Sequence, residues 1–247
     1  MPYTAVADCE LSPEECGVYA DILSQAVTGE LVGMQNFAVL VGLYDDIDEK
    51  IEALEHAEIE KRHAVTFRSL ARDLGVTAIA DLDAPYWRRI HEAFLRRAAK
   101  RDLTACMLIQ ELMLESFAVS MYGRIGATAP GRLGRTFAGI AAEETEHLDH
   151  AVELLGRDFA RDPEGLESKV AAVHDEVMTV LAEMVAREDP AGHCGLCREA
   201  CVKGSLGRVN LDIVRLRGEA LNLYMRSLDR IGLAGEKTLQ WVARLPV

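Results

Sequence analysis

Glu60-Lys61-Arg62-His63 and Glu144-Thr145-Glu146-His147 are the two stretches whose reading decides the fold. Residues at i and i+3 share one helix face, so each stretch offers a carboxylate and an imidazole to the same point. One such pair carries little weight. With 24 Glu and 7 His in 247 positions, about 0.7 pairs arise by chance, the ordinary false-positive rate of a short motif. The weight comes from their place among two further glutamates, Glu30 and Glu115. The order along the chain is Glu, Glu-x-x-His, Glu, Glu-x-x-His, which is the set a four-helix bundle uses to hold two iron or manganese ions in its core. Carboxylate oxygens with imidazole suit those metals, and no thiolate is needed.

The neighbours of each acid test this reading. Steps of three and four from Glu30 reach Val27, Met34, Phe37 and Ala38. From Glu60 they reach Ala53, Ala57, Ala64 and Phe67. From Glu115 they reach Leu108, Leu112, Ala118, Val119 and Tyr122, and from Glu144 they reach Phe137, Ile140, Ala141, Leu148 and Ala151. Each acid sits in an apolar stripe. A solvated helix glutamate is the ordinary alternative, but a carboxylate centred on a core stripe is costly unless paired or metal-bound. Glu111, one turn before Glu115, reads either as an extra carboxylate acting as ligand or proton relay, or as a solvated residue at the bundle edge. Glu143 and Glu146 read as solvated. His56 reads as a core histidine or a support to the ligands, and His150 as either a support or exposed.

The chain is nearly half hydrophobic and carries a formal charge of −13. The acidity disfavours nucleic acid and anionic membrane as partners. The first residues show no basic region followed by an apolar run. The longest apolar stretch, near Phe37 to Tyr44, is too short to cross a bilayer. A cytoplasmic protein without a membrane span is expected. Few aromatics with abundant Ala, Leu and Glu favour helices. The spacing predicts helices over about 13–44, 48–74, 86–100, 103–124 with Gly126 as its stop, 132–159, 164–187 and 209–231, and a short one after Gly235. Ser12-Pro13-Glu14-Glu15 caps the first. The expected fold is all-α: one ferritin-like four-helix bundle domain over 1–247, with its core at about 13–159 and accessory helices at about 164–245.

Cys194-x2-Cys197-x3-Cys201, beside His193, forms a candidate soft-metal cluster, with Cys9 and Cys16 at the other end of the sequence. Helix directions return this loop to the end of the bundle where the chain begins, within reach of Cys9 or Cys16. The alternatives are a zinc site, a redox-responsive thiol group and unlinked thiols. Cys106 reads as core.

Leu108 to Tyr122, with Gly29-Glu30, Glu60-Lys61-Arg62-His63 followed by Phe67, and Glu144 to His147, resembles the cyanobacterial aldehyde-deformylating oxygenases, also called aldehyde decarbonylases. The likeness runs from about residue 12 to Leu233. It implies a non-haem diiron site on Glu30, Glu60, His63, Glu115, Glu144 and His147. It also implies O2 and an external reductant such as ferredoxin, and a small substrate with an apolar portion, converted from fatty aldehyde to hydrocarbon and formate. Tyr122 and Phe67 would lie near the substrate channel, and Met34, on the first helix beside the site, is a third expected channel residue. Glu111 and Tyr122 are the candidate catalytic residues. Departures from the family are Glu111, where a small polar residue is usual, Gly33 and Met34, and the cysteine loop. The same scaffold also supports N-oxygenation or hydroxylation of an amine or amino-acid-derived intermediate, and iron storage or peroxide scavenging.

Overall fold

The computed structural model describes residues 11–186, 194–198 and 200–246. Among them there is no strand. Helix α1 spans Pro13–Leu40 and α2 Ile47–Asp73. Ser12 accepts from Glu15 N, and the Glu15 side chain reaches back to the Ser12 N–H, completing the capping box. Asp46 caps α2, and Gly75, at φ +71°, turns the chain out of it. Helix α3, Pro85–Ala98, lies in the crossover. Helix α4, Leu103–Met107, leads through a π-helical segment, Leu108–Leu114, into α5, Glu115–Thr128. Helix α6 spans Gly131–Arg161. Helices α7, Pro163–Val173, and α8, Thr179–Met184, are joined by a second π segment, His174–Met178. A 3-10 helix, Val202–Val209, precedes α9, Ile213–Ile231, and α10, Gly235–Val242.

Most predicted helices are present, with edges moved by local chemistry. The third core helix does not stop at Gly126 but runs on to Thr128. Gly126 is a close-approach residue: a Cβ there would stand 2.7 Å from the Ala138 backbone nitrogen. The last long helix starts at Ile213 rather than near Val209, because Asn210 is left-handed and Asp212 is the cap.

Helix α1 packs along α2, α5 along α6, and α9 covers α5 and α6. Two apolar clusters divide the interior. One holds Val18, Leu23, Val27, Phe67, Tyr122 and Phe137, and the other Phe37, Ala57, Leu112, Phe117 and Leu148. Each core helix passes from one cluster to the other near its acidic residue: Glu30 lies between Val27 and Phe37, Glu60 between Ala57 and Phe67, and Glu144 between Ala141 and Leu148, while on α5 the change comes just after Glu115, between Phe117 and Tyr122. The four carboxylates thus form a polar waist between two apolar halves.

Leu103–Thr128 is long and apolar enough to cross a membrane by length and composition, with mean hydropathy 1.3. It exceeds the Phe37 to Tyr44 run named from the sequence as the longest. It is a core helix: 72% of its most apolar window is buried inside the bundle, and it carries the buried polar residues Gln110, Glu111 and Glu115.

Candidate metal centre and cavity

Glu30, Glu60, Glu115, Glu144, His63 and His147 are all buried. Two overlapping groups of potential ligand atoms form, each within 4.8 Å: Glu30, Glu60, His63 and Glu144, and Glu60, Glu115, Glu144 and His147. Glu60 and Glu144 belong to both groups, the position a bridging carboxylate occupies. His63 Nδ1 lies 3.0 Å from Glu144 Oε1 and 3.2 Å from Glu30 Oε2. His147 Nδ1 lies 3.0 Å from Glu144 Oε2 and 3.5 Å from Glu60 Oε1.

The electrostatics show how poorly the protein alone satisfies this cluster. Burial, and then the Glu144 charge, raises the carboxyls of Glu30, Glu60 and Glu115 above the usual carboxylate range. Burial would raise Glu144 too, but hydrogen bonds and charge from His147 and His63 bring it down to about 2. Burial opposes charge on His63, yet Glu144 and Glu30 raise it to about 10. Glu60 Oε1 and His147 Nε2 are buried without a hydrogen-bond partner. Orphaned buried atoms of this kind need an explanation. Divalent cations among them would replace shared protons and complete the coordination, so the donor set fits a metal pair.

Surrounding residues hold these groups in place, and several escaped the sequence reading. Gln110 Nε2 donates to Glu115 Oε1 at 2.9 Å, and Asn36 Nδ2 donates to Gln110 Oε1 at 2.8 Å. Asn36 Oδ1 contacts His91 Nδ1 at 2.9 Å. The π segment explains the Gln110 contact. In an α-helix, Glu111 at i−4 shares the Glu115 face; in the wider i→i+5 turn, Gln110 does. Glu111 is therefore neither beside the six residues nor solvated. It is buried, accepts from Tyr44 OH at 3.0 Å, and groups with His56 and His150. Glu143 is partly exposed, as expected, but also has a partner in the site. It lies 3.2 Å from His63 Nε2 and takes Arg62 at 2.8 Å, an outer carboxylate orienting the ring. Glu146 is exposed as expected. Tyr122 OH donates to Glu30 Oε1. A Cβ at Gly33 would meet Glu60 Oε2 at 2.8 Å, so this glycine makes room for the shared carboxylate.

A cavity of about 200 Å³ opens from Glu30, Glu60, Glu115 and Glu144 into an apolar space that includes Phe117, Met121, Tyr122, Ile125 and Leu216. Of the expected channel residues, Tyr122 lines it; Met34 and Phe67 do not. Phe67 is turned into the ring cluster, with centroids 5.2 Å from Tyr122 and 4.8 Å from Phe137, and Gly33 rather than half-buried Met34 faces the cavity.

Cys194, Cys197 and Cys201 also line this cavity. Cys197 shares hydrogen bonds with Cys194 and Cys201, which push its thiol upward. Gln25 Nε2 donates to Cys194 Sγ at 3.1 Å. Arg198 donates to Gly17 O and lies 3.2 Å from Asp21, so the loop does return to the first half of α1. Cys16 is partly buried next to Gly17; Cys9 and His193 lie outside the described residues. Cys106 is buried.

An all-helical bundle with a polar waist of four carboxylates and two histidines, opening into an apolar cavity, defines the ferritin-like carboxylate metalloprotein class. Residues 15–203 match the model of the long-chain fatty aldehyde decarbonylase family, and the chain belongs to that family. The fold is that of a solved Synechococcus protein described as having aldehyde deformylating oxidase activity. The match has a TM-score of 0.80 at 22% identity and covers 94% of this chain and 98% of that one.

Proposed function

We propose that Glu30, Glu60, His63, Glu115, Glu144 and His147 hold two iron ions. We further propose that the protein, acting in the cytoplasm, uses O2 and electrons from a ferredoxin-like carrier to convert a long-chain fatty aldehyde into a hydrocarbon and formate. The observation that carries this reading is that the four carboxylates of two overlapping carboxylate–histidine groups line an otherwise largely apolar cavity. Four carboxylates balance the charge of two ferrous ions, and manganese fits the same donors. The bound pair would supply reductive activation of O2.

The chain's own residues do the rest. Phe117, Met121, Ile125 and Leu216 take the apolar tail and exclude water. Gln110 and Tyr122 fix Glu115 and Glu30 by hydrogen bonds, and the Tyr122 hydroxyl that bonds Glu30 also belongs to a residue lining the cavity. For the cysteines we propose a redox-responsive thiol group, supported by Cys197, which bonds both Cys194 and Cys201.

Iron-reconstituted protein with a long-chain aldehyde, O2 and a reducing system tests the proposal. The expected products are formate and a hydrocarbon one carbon shorter than the aldehyde. A hydroxylated or N-oxygenated product from an amine, with no formate from aldehyde, would move the assignment to another oxygenase. Accumulation of many irons per chain would move it to storage.

A further inference from the structure

Outside the six residues, a second set of metal-binding side chains stands together. His56 of α2, Glu111 of the π segment and His150 of α6 place one donor atom each within 4.8 Å of the other two. None belongs to either of the groups above. Glu111 is 1% exposed, and its Oε2 is buried without a hydrogen-bond partner. Its other oxygen is taken by Tyr44 OH. His150 Nδ1, also without a partner, lies 3.8 Å from Glu111 Oε2. That distance is too long for a hydrogen bond but suits two ligands of one ion.

Outer carboxylates brace both rings. His150 Nε2 is 3.0 Å from Glu49 Oε2, and His56 Nε2 is 3.3 Å from Glu52 Oε1. A ligating histidine is commonly held this way by a carboxylate on its other nitrogen. Burial raises the Glu111 carboxyl to about 8, a cost that a bound cation would relieve.

We propose that His56, Glu111 and His150 form a third divalent-metal site, separate from the inner pair. Two imidazoles and one carboxylate, with remaining positions for water, suit ferrous, zinc or cobaltous ions. The site lies between the surface and the inner groups. Glu49 and Glu52 are its partly exposed outer side, and on its inner side the His56 ring stands 4.1 Å from that of His147, centroid to centroid.

The test is anaerobic cobalt(II) binding to the metal-free full-length chain, counted by equilibrium dialysis and elemental analysis. Wild type is expected to bind one ion per chain more than Glu111→Leu and one more than His150→Ala, with helical content unchanged. Equal counts in wild type and both variants would overturn the proposal. Because the readout is a difference of one, it stands or falls separately from the filling of the inner pair. Should either variant misfold, anomalous diffraction from cobalt-soaked wild-type crystals decides. A peak between His56, Glu111 and His150 supports the site, and cobalt peaks elsewhere with none there refute it.

Discussion

Replacing Gly33 with alanine should weaken metal binding while barely changing the stability of the metal-free fold. The added Cβ would stand 2.8 Å from Glu60 Oε2 and 3.0 Å from Glu60 Cδ, where ordinary contact begins at 3.4 Å. The carboxylate must therefore retreat by 3.4 − 2.8 = 0.6 Å. Without metal, Glu60 is a flexible tip that swings aside, and alanine recovers up to ~1 kcal/mol of helix propensity over glycine. With metal, Glu60 belongs to both ligand groups and has nowhere to go. Overpacking of this kind costs ~1–3 kcal/mol, which then falls on metal affinity as a roughly 5- to 150-fold weakening. Anaerobic ferrous titration against a competing chelator measures it, and thermal unfolding of the metal-free protein supplies the control. Wild-type affinity in Gly33→Ala would refute the reasoning, since it would mean Glu60 does not approach metal from the position seen here.

Other outcomes follow from the same geometry. Gln110→Leu strands Glu115 Oε1 and the Asn36 amide, and should lower stability by ~1–3 kcal/mol for each buried group left unpaired, read as a fall in Tm; an unchanged Tm would contradict the hydrogen-bond chain. Glu143→Ala removes the outer partner of His63 and should reduce metal affinity about 10- to 100-fold, whereas a merely solvated Glu143 would give no change. Gly126→Ala pushes a methyl against the Ala138 backbone and should destabilise the fold by ~1–3 kcal/mol without altering metal stoichiometry; denaturant titration and metal analysis together check both halves. Since burial raises Glu30, Glu60 and Glu115, loading must displace protons from the metal-free protein, so apparent affinity should fall as pH is lowered. Affinity independent of pH in a chelator-competition titration would contradict it.

The fold was legible because an acidic residue inside an apolar helical stripe is costly, and four such stripes with two Glu-x-x-His pairs have few other solutions. The six candidate ligands follow from helical period alone, and the structure brings all six together. What the period could not give was the π segment at Leu108–Leu114. One widened turn hands the Glu115 face to Gln110 and turns Glu111 toward Tyr44 and His150. Glutamine inside a core stripe was the available signal, since a buried amide needs partners. Glu143 escaped because its helix face is outward, and only the tertiary position of His63 gives it a role. Gly126 misled as a helix stop because a glycine that admits a neighbouring backbone looks the same in sequence as one that ends a helix. Phe67 was placed by resemblance and Met34 by its position one turn from Glu30; ring packing turns Phe67 away from the cavity, and Gly33 lines it in place of Met34.

In the proposed centre Glu60 and Glu144 serve two ions at once, and the most direct measurement is the iron content of Glu144→Ala beside wild type after anaerobic reconstitution. Because Glu144 belongs to both ligand groups, its loss should remove both inner ions together, with wild type holding the pair. An inner pair retained in Glu144→Ala, or wild type that never holds more than one tightly bound iron, would contradict the claim.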